Sequence, residues 1–191
     1  MSPKAKVFLI TTSAVVALDQ LTKYWVRANI RPYSAADEVS IIPNWLSISH
    51  AINKGAAFSA LADFEYRLAV FFTFTAIAVV VIGVGYRMLA ADDRLVSAAL
   101  GTLLAGALGN FIDRAIFGQV TDMIKVYAGV EPAKSWFISH VGMSVWPIFN
   151  IADTAIWVGV IGFLLAHLFV KDHPAGGQAD AGPLESAPSL D

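Results

Sequence analysis

The residues able to do chemistry in this chain are acids, amides and cations, and they recur in sets one helical turn apart. Asp19 precedes Lys23 by four positions, Asn110 is followed by Asp113 and Arg114 at i+3 and i+4, and Asn150 precedes Asp153 by three. Asp122 stands between the last two sets, in Val120-Thr121-Asp122-Met123. Spacings of three and four put each set on one helix face. Two carboxylates held close together cannot both ionise easily, so one retains a proton while the other acts as a base. Such a pair activates water and protonates a leaving amine, splitting a peptide bond with neither a nucleophilic serine nor a metal. Asp122 and Asp153 can meet if the chain folds back between them. Asp113 and Asp19 compete for the same role, and spacing alone does not choose among these acids.

Each set also has a plain structural use. Asn150 and Asp153 fit an N-cap followed by a first-turn acid. Asp113-Arg114 fits a charged pair ending a span, Asp122 an exposed loop acid, and Asp19 with Lys23 an ion pair. His50 and His140 fall in loops without ligand-like spacing, His167 lies far from the acids, and there is no H-E-x-x-H. No metal site is therefore predicted.

The elements that must hold these residues follow from composition. The chain has 191 residues, 57% hydrophobic and 15% charged, with a formal net charge of −2 and no cysteine. Ordinary soluble domains are about 45–50% apolar and about 25% charged. A disordered chain, a nucleic-acid binder working through a basic surface and a disulfide scaffold are excluded. Thiol catalysis, Cys-ligated zinc and iron–sulfur clusters are excluded with them. One compact domain, residues 1–173, is predicted to sit in lipid.

A spanning helix needs about 20 largely apolar residues. Leu68–Tyr86, Leu95–Ile112 and Thr154–Val170 are uncharged runs bounded by charges. The first span, Val7 to Val26, is interrupted by Asp19 and Lys23, which neutralise one another one turn apart. A cleaved signal peptide, with Lys4 and Lys6 before it and Val15-Val16-Ala17 as cleavage site, is the alternative. The aromatic pair Tyr24-Trp25 suits a retained helix ending at an interface. The predicted fold is all-α and polytopic: four transmembrane helices at about 7–26, 68–86, 95–112 and 151–170, a small β element and an extended loop before helix four. Asp92-Asp93 supplies a cap for the third helix.

Four spans put both termini on one side and residues 27–65 and 115–148 on the other. Lysines and arginines number five on the terminal side and eight opposite, so charge alone leaves orientation open. The acids and amides gather at the helix ends on the side of the two long segments. A proton-coupled carrier would instead carry polar residues through the depth of several helices; the midsections of helices two and four are apolar. Leu46-Ser47-Ile48-Ser49 alternates with period two and predicts a strand at the membrane surface, an edge to which an extended substrate could add. Asn53-Lys54-Gly55-Ala56-Ala57-Phe58 then reads as a turn allowing close backbone approach. Residues 174–191, rich in Pro, Gly, Ala and Ser, are predicted to be disordered.

Five motifs in order carry a family resemblance: Asp19-Gln20-Leu21-Thr22-Lys23, Asn53 to Phe58, Gly106 to Arg114, Val120-Thr121-Asp122 and Phe149-Asn150-Ile151-Ala152-Asp153. Over residues 5–170 the chain resembles the lipoprotein signal peptidases (signal peptidase II). The resemblance implies a bacterial inner-membrane aspartyl endopeptidase with four helices, cytoplasmic termini and an active site at the outer-leaflet interface. Its substrate would be a prolipoprotein, cut just before the cysteine that carries diacylglycerol. The catalytic dyad would be Asp122 and Asp153. Asn53, Asn110, Arg114 and Asn150, with Gly55 beside them, would line the site and hold substrate backbone. Asp113 would position Arg114, and Asp19 and Lys23 would support the helix end. The resemblance further implies a monomer, membrane lipid as a partner, no metal or organic cofactor, and inhibition by the cyclic peptide globomycin.

Three features depart from the family pattern. Met123 replaces the usual phenylalanine, and Thr154 keeps the hydroxyl of the usual serine. The stretch from Ile124 to Pro147 is about a dozen residues longer than usual. Its Trp136, Phe137, Val141, Met143, Val145 and Trp146 are expected to form an interfacial segment over the site, either a mobile lid or an inert insertion.

Overall fold

Helix α1 (Pro3–Asn29) begins where Ser2 accepts a hydrogen bond from the Ala5 N–H and Pro3 occupies the first turn, where a missing N–H costs nothing. In the computed structural model, which describes residues 1–55 and 66–169, α1 runs unbroken through Asp19 and Lys23. Helices α2 (Arg67–Met88) and α3 (Arg94–Phe117) follow, and Asp93 caps α3 by accepting from the Val96 N–H, as its sequence position predicts. A nine-residue helix α4 (Ala133–Val141) precedes α5 (Ile151–Phe169). α1, α2 and α3 are long and apolar enough to cross a membrane; the apolar run of α5, Ile151–Ala166, is shorter. The chain is thus mostly helical, with three candidate spans and a small sheet. Ala56-Ala57-Phe58 of the turn motif and the 174–191 tail lie outside the described residues.

α3 is the central helix. Half of its apolar window is buried, against 6% for α1 and for α2, and it packs against α1, α2 and α5. Small residues allow that approach, because helices in lipid associate by close packing rather than by the hydrophobic effect. A methyl group on Gly109 would lie 2.5 Å from Asp19 Oδ2 and 3.0 Å from Ala152 Cβ, so this glycine is where three helices close on the polar cluster. The outer faces carry large exposed apolar side chains, among them Phe74, Ile77, Val80 and Val81 on α2 and Trp157, Val158, Ile161 and Leu165 on α5. Such faces suit hydrocarbon and not water.

Gly118, at φ +68°, ends α3 in the left-handed conformation, and the chain turns at once into a strand. The sheet has three antiparallel strands in the order β1 (Val39–Ile42), β2 (Leu46–Asn53), β3 (Val120–Val126). Two expectations are corrected here. The stretch around Asp122, read as a loop, is β3. The strand predicted at Leu46–Ser49 extends to Asn53 and is central, so it offers no free edge to a substrate. β3 takes one side of it, β1 takes the other from Leu46 to Ile48, and Tyr33 then occupies the rest, through its N–H to His50 O (2.8 Å) and its hydroxyl to both backbone groups of Ile52.

The long stretch before α5 is not a loop either. β3 continues to Val126, the chain leaves through α4, and residues 144–149 return antiparallel to β3, with Ile124 paired to Phe149 and Tyr127 to Val145. The excursion leaves and rejoins at paired positions, so its length does not displace Phe149 or Asn150. α4 stands beyond the Val126 end of β3, four residues from Asp122, or roughly 13 Å along the strand. Of the apolar residues expected over the site, Trp146 lines a groove together with Asp153, while α4 itself stands beyond the strand end.

Gly109→Ala should destabilise the folded protein by about 1–3 kcal/mol, because neither Asp19 nor Ala152 can withdraw. The melting temperature of the purified protein in detergent measures this; an unchanged value would show that the helices are not so closely set.

Candidate active site

At the end of the bundle next to the sheet, α1 and α3 bury a cation between two acids. Lys23 Nζ lies 2.9 Å from Asp19 Oδ2 and 3.6 Å from Asp113 Oδ2, with all three side chains at 0% exposure. A buried charge is tolerated only when paired and hydrogen-bonded. Lys23 also donates to Gly109 O (3.4 Å) and to Asn110 Oδ1 (3.2 Å). Asp19 Oδ1 accepts the Ala152 N–H at 2.9 Å, capping the first turn of α5 from a neighbouring helix.

Three asparagines carry this order outward. Asn110 Oδ1 receives Lys23 and the Nδ2 of Asn150, so its own Nδ2 points to Asp153 Oδ1 at 2.8 Å. Asn150 Oδ1 accepts the Asp153 N–H (2.9 Å), which leaves Nδ2 to donate to Asp122 Oδ1 at 2.6 Å. Its N–H donates in turn to Asp153 Oδ2, a reciprocal box at the start of α5. Asn53 Oδ1 accepts the Gly55 N–H (2.7 Å), so its Nδ2 faces Asp122 Oδ2 at 2.9 Å. Each amide orientation is thus set by a cation or an N–H on its oxygen side.

The two outermost acids meet on one asparagine. Asp122 is 2% exposed in the middle of β3, and Asp153 is partly exposed in the first turn of α5. Asn150 donates to both carboxyl groups. Burial, followed by the nearby Asp153 carboxylate, pushes the Asp122 carboxyl up to about 6, against the opposing pull of the Asn53 and Asn150 amides and of Lys23. The N-cap reading of Asn150 and Asp153 is realised, since Asn150 Oδ1 accepts the Asp153 N–H and Asp153 accepts the Asn150 N–H.

Asp19 and Asp113 do not share this arrangement, because each is bound by Lys23 and by a backbone N–H. The expectation that Asp113 positions Arg114 is not met. Its hydrogen bonds go elsewhere, to the Thr121 N–H (2.9 Å), Arg27 Nη1 (3.4 Å) and Gln20 Nε2 (3.4 Å). Adjacent helical residues point about 100° apart. Asp113 therefore faces α1 and the start of β3, while the Arg114 guanidinium lies 4.1 Å from the Phe71 ring centroid on α2. Gly55, at φ +110°, packs against the same ring, and a Cβ there would meet it at 2.9 Å. His50 is buried with Nδ1 2.7 Å from Ile30 O, a structural histidine. Among the described residues there is no group of three or more acids and histidines arranged to hold a metal.

Sequence reasoning missed Arg27. It donates to Asp113 Oδ1 and to Thr121 Oγ1 (3.1 Å), and its guanidinium lies 4.5 Å from the Phe117 ring centroid. It clamps the residue before Asp122. The signal was the spacing of four in Asp19, Lys23 and Arg27 along one face of α1.

The family model described as signal peptidase (SPase) II matches residues 11–169, which contain every residue above. The chain belongs to the signal peptidase II family. It is accordingly a peptidase and an integral protein of a bacterial membrane. Relatives named lipoprotein signal peptidase include that of Geobacter metallireducens, 37% identical over 90% of this chain and 95% of its own, and that of Geobacter sulfurreducens, 39% identical over 84% and 90%. Two solved structures described as bacterial membrane enzymes superpose with TM-scores of 0.68 and 0.69. They are 28% and 30% identical, covering 90% and 85% of this chain and 93% and 92% of theirs.

In this signal peptidase II family member, Arg27→Ala should cost about 1–3 kcal/mol by removing the charged donor shared between buried Asp113 and Thr121, leaving Gln20 alone on that carboxylate oxygen. Thermal unfolding should show the loss, and Arg27→Lys should recover part of it. Equal stability of Arg27→Ala and the unaltered protein would show that the clamp is not formed.

Proposed function

We propose that this chain removes signal peptides from prolipoproteins, cleaving before the diacylglyceryl-modified cysteine with Asp122 and Asp153 as its dyad. In this reading residues 1–173 form one four-span unit of the inner membrane, with cytoplasmic termini and the acids at the outer-leaflet interface. The observation that carries it is Asn150, one side chain and its own N–H joining both carboxyl groups. The names of the relatives support the substrate class.

The chemistry follows from the environments of the two acids. Asp122, the more buried, holds the shared proton; Asp153, partly exposed, is the base. Asp153 takes a proton from water as the water oxygen attacks the scissile carbonyl carbon, and Asp122 gives its proton to the carbonyl oxygen. Collapse of the gem-diol breaks the C–N bond as Asp153 passes its proton to the leaving amine and one diol hydroxyl returns a proton to Asp122, so that a new carboxyl ends the signal peptide and both acids are restored. Asn53, Gly55, Asn110 and Arg114 border this point. A groove lined by Trp146, Phe149, Thr154, Trp157, Val158 and Ile161 leads from Asp153 along α5. It suits hydrocarbon, and lipid tails held there would supply binding energy remote from the reacting carbonyl, fixing its position. The buried acids and amides, with Lys23, gather at one end of the bundle, which favours surface chemistry over a carrier. Globomycin is expected to block the reaction.

Purified protein in lipid, given a diacylglyceryl prolipoprotein, tests this. Cleavage should survive chelator and fall by about 10²–10⁴-fold or more in Asp122→Asn and in Asp153→Asn; persistence in both variants would refute the dyad. The pH profile gives a second test. Asp122 must be protonated, so kcat/KM should decline as pH rises through about 6. Asn53→Ala removes a hydrogen bond that favours the ionised form, so it should move that limb to higher pH while lowering the plateau. A limb that stays put or moves down would contradict the assignment.

A further inference from the structure

We propose that the excursion of residues 127–146 is a foot that seats the far end of the sheet on the bilayer, with membrane lipid as the occupant of its apolar cleft. α4 has nine residues and none of them is buried. Helices this short do not persist in water on their own propensity and need an apolar face covered. The face of α4 that bears Phe137 and Val141 looks across a cleft of about 110 Å³ towards Trp45, Val126, Met143 and Trp146. The rim is apolar and open, with Trp146 56%, Trp45 42%, Met143 41% and Val141 41% exposed.

Continuity selects lipid over a second protein. Trp146 lines this cleft and also the groove beside Asp153, whose other walls include Trp157, Val158 and Ile161 on the outer face of α5. These three are 69%, 56% and 50% exposed on a helix of an integral membrane protein, where the surrounding medium is hydrocarbon. The apolar surface therefore passes from the lipid-facing side of α5 through Trp146 onto the foot. Tryptophan is the residue most at home at such a boundary, with an apolar ring and one N–H donor. The return ribbon, through Trp146 N–H to Val126 O (2.9 Å) and the Ile124–Phe149 pair, leads directly into Asn150 and Asp153. Seating the foot thereby sets the height of both acids above the bilayer.

The absence of cysteine makes the test direct. Single cysteines placed at Met143, Val141 and Ser139 in the full-length chain carry nitroxide labels in vesicles of phosphatidylethanolamine and phosphatidylglycerol. At 143 and 141, collisions with oxygen should exceed those with a water-soluble nickel chelate several-fold; at Ser139, on the outward side of α4, nickel should dominate. Nickel dominating at both 143 and 141 would overturn the proposal, and so would protection from both reagents, which would mean cover by protein. Trp146→Phe, a conservative change, should also remove part of the tryptophan quenching caused by shallowly brominated lipids. Unchanged quenching would contradict the foot.

Discussion

A lysine with no access to water organises this molecule. Lys23 is held between Asp19 and Asp113 at 0% exposure, and removing either acid would leave an uncompensated charge, at a cost of about 3–5 kcal/mol. That constraint fixes more than itself. Asp19 must reach α5, where it caps Ala152; Asp113 must reach β3, where it receives the Thr121 N–H; Lys23 must turn Asn110 so that its amide nitrogen faces Asp153. Three helices and one strand are registered by one buried cluster. The two acids that do not belong to it are left at its outer boundary.

Helices and sheet contribute differently. The helices in lipid supply rigid apolar walls, and α3 admits α1 and α5 closely because its glycines let backbones approach. The sheet supplies a second, irregular wall that brings Asp122 to Asn150, which also holds Asp153, and sets Asn53 against Asp122. β3 leaves α3 only two residues after the helix ends at Gly118. Asp122 is therefore held from both ends, by the Asp113–Arg27 clamp on Thr121 and by the Phe149 backbone, which accepts from the Met123 and Ile124 N–H groups.

The polar sets of α1, α3 and α5 are legible in the sequence as one-turn spacings, because the period of a helix is local. The β element is only half legible. Val120-Thr121-Asp122-Met123-Ile124-Lys125-Val126 is rich in β-branched residues, yet its pairing with Leu46–Asn53 joins distant parts of the chain and leaves no local mark. Asp113-Arg114 invites a pair by adjacency, whereas helical geometry turns the two apart. In sequence Arg27 is one cation among many, because only the fold shows that Thr121 comes to it. The return of residues 144–149 along β3 is hidden for the same reason, and it explains how so long an excursion leaves Asn150 beside Asp122.

The central claim is that Asp122 and Asp153 share a proton across Asn150. The infrared band of protonated carboxyl groups, followed by pH titration of the full-length protein in lipid, measures it most directly. The account predicts one carboxyl that loses its proton near pH 6 and is absent in Asp122→Asn. Its midpoint should fall in Asp153→Asn, since removing the neighbouring negative charge eases ionisation. A titration indifferent to Asp153, or no such carboxyl at all, would contradict the account.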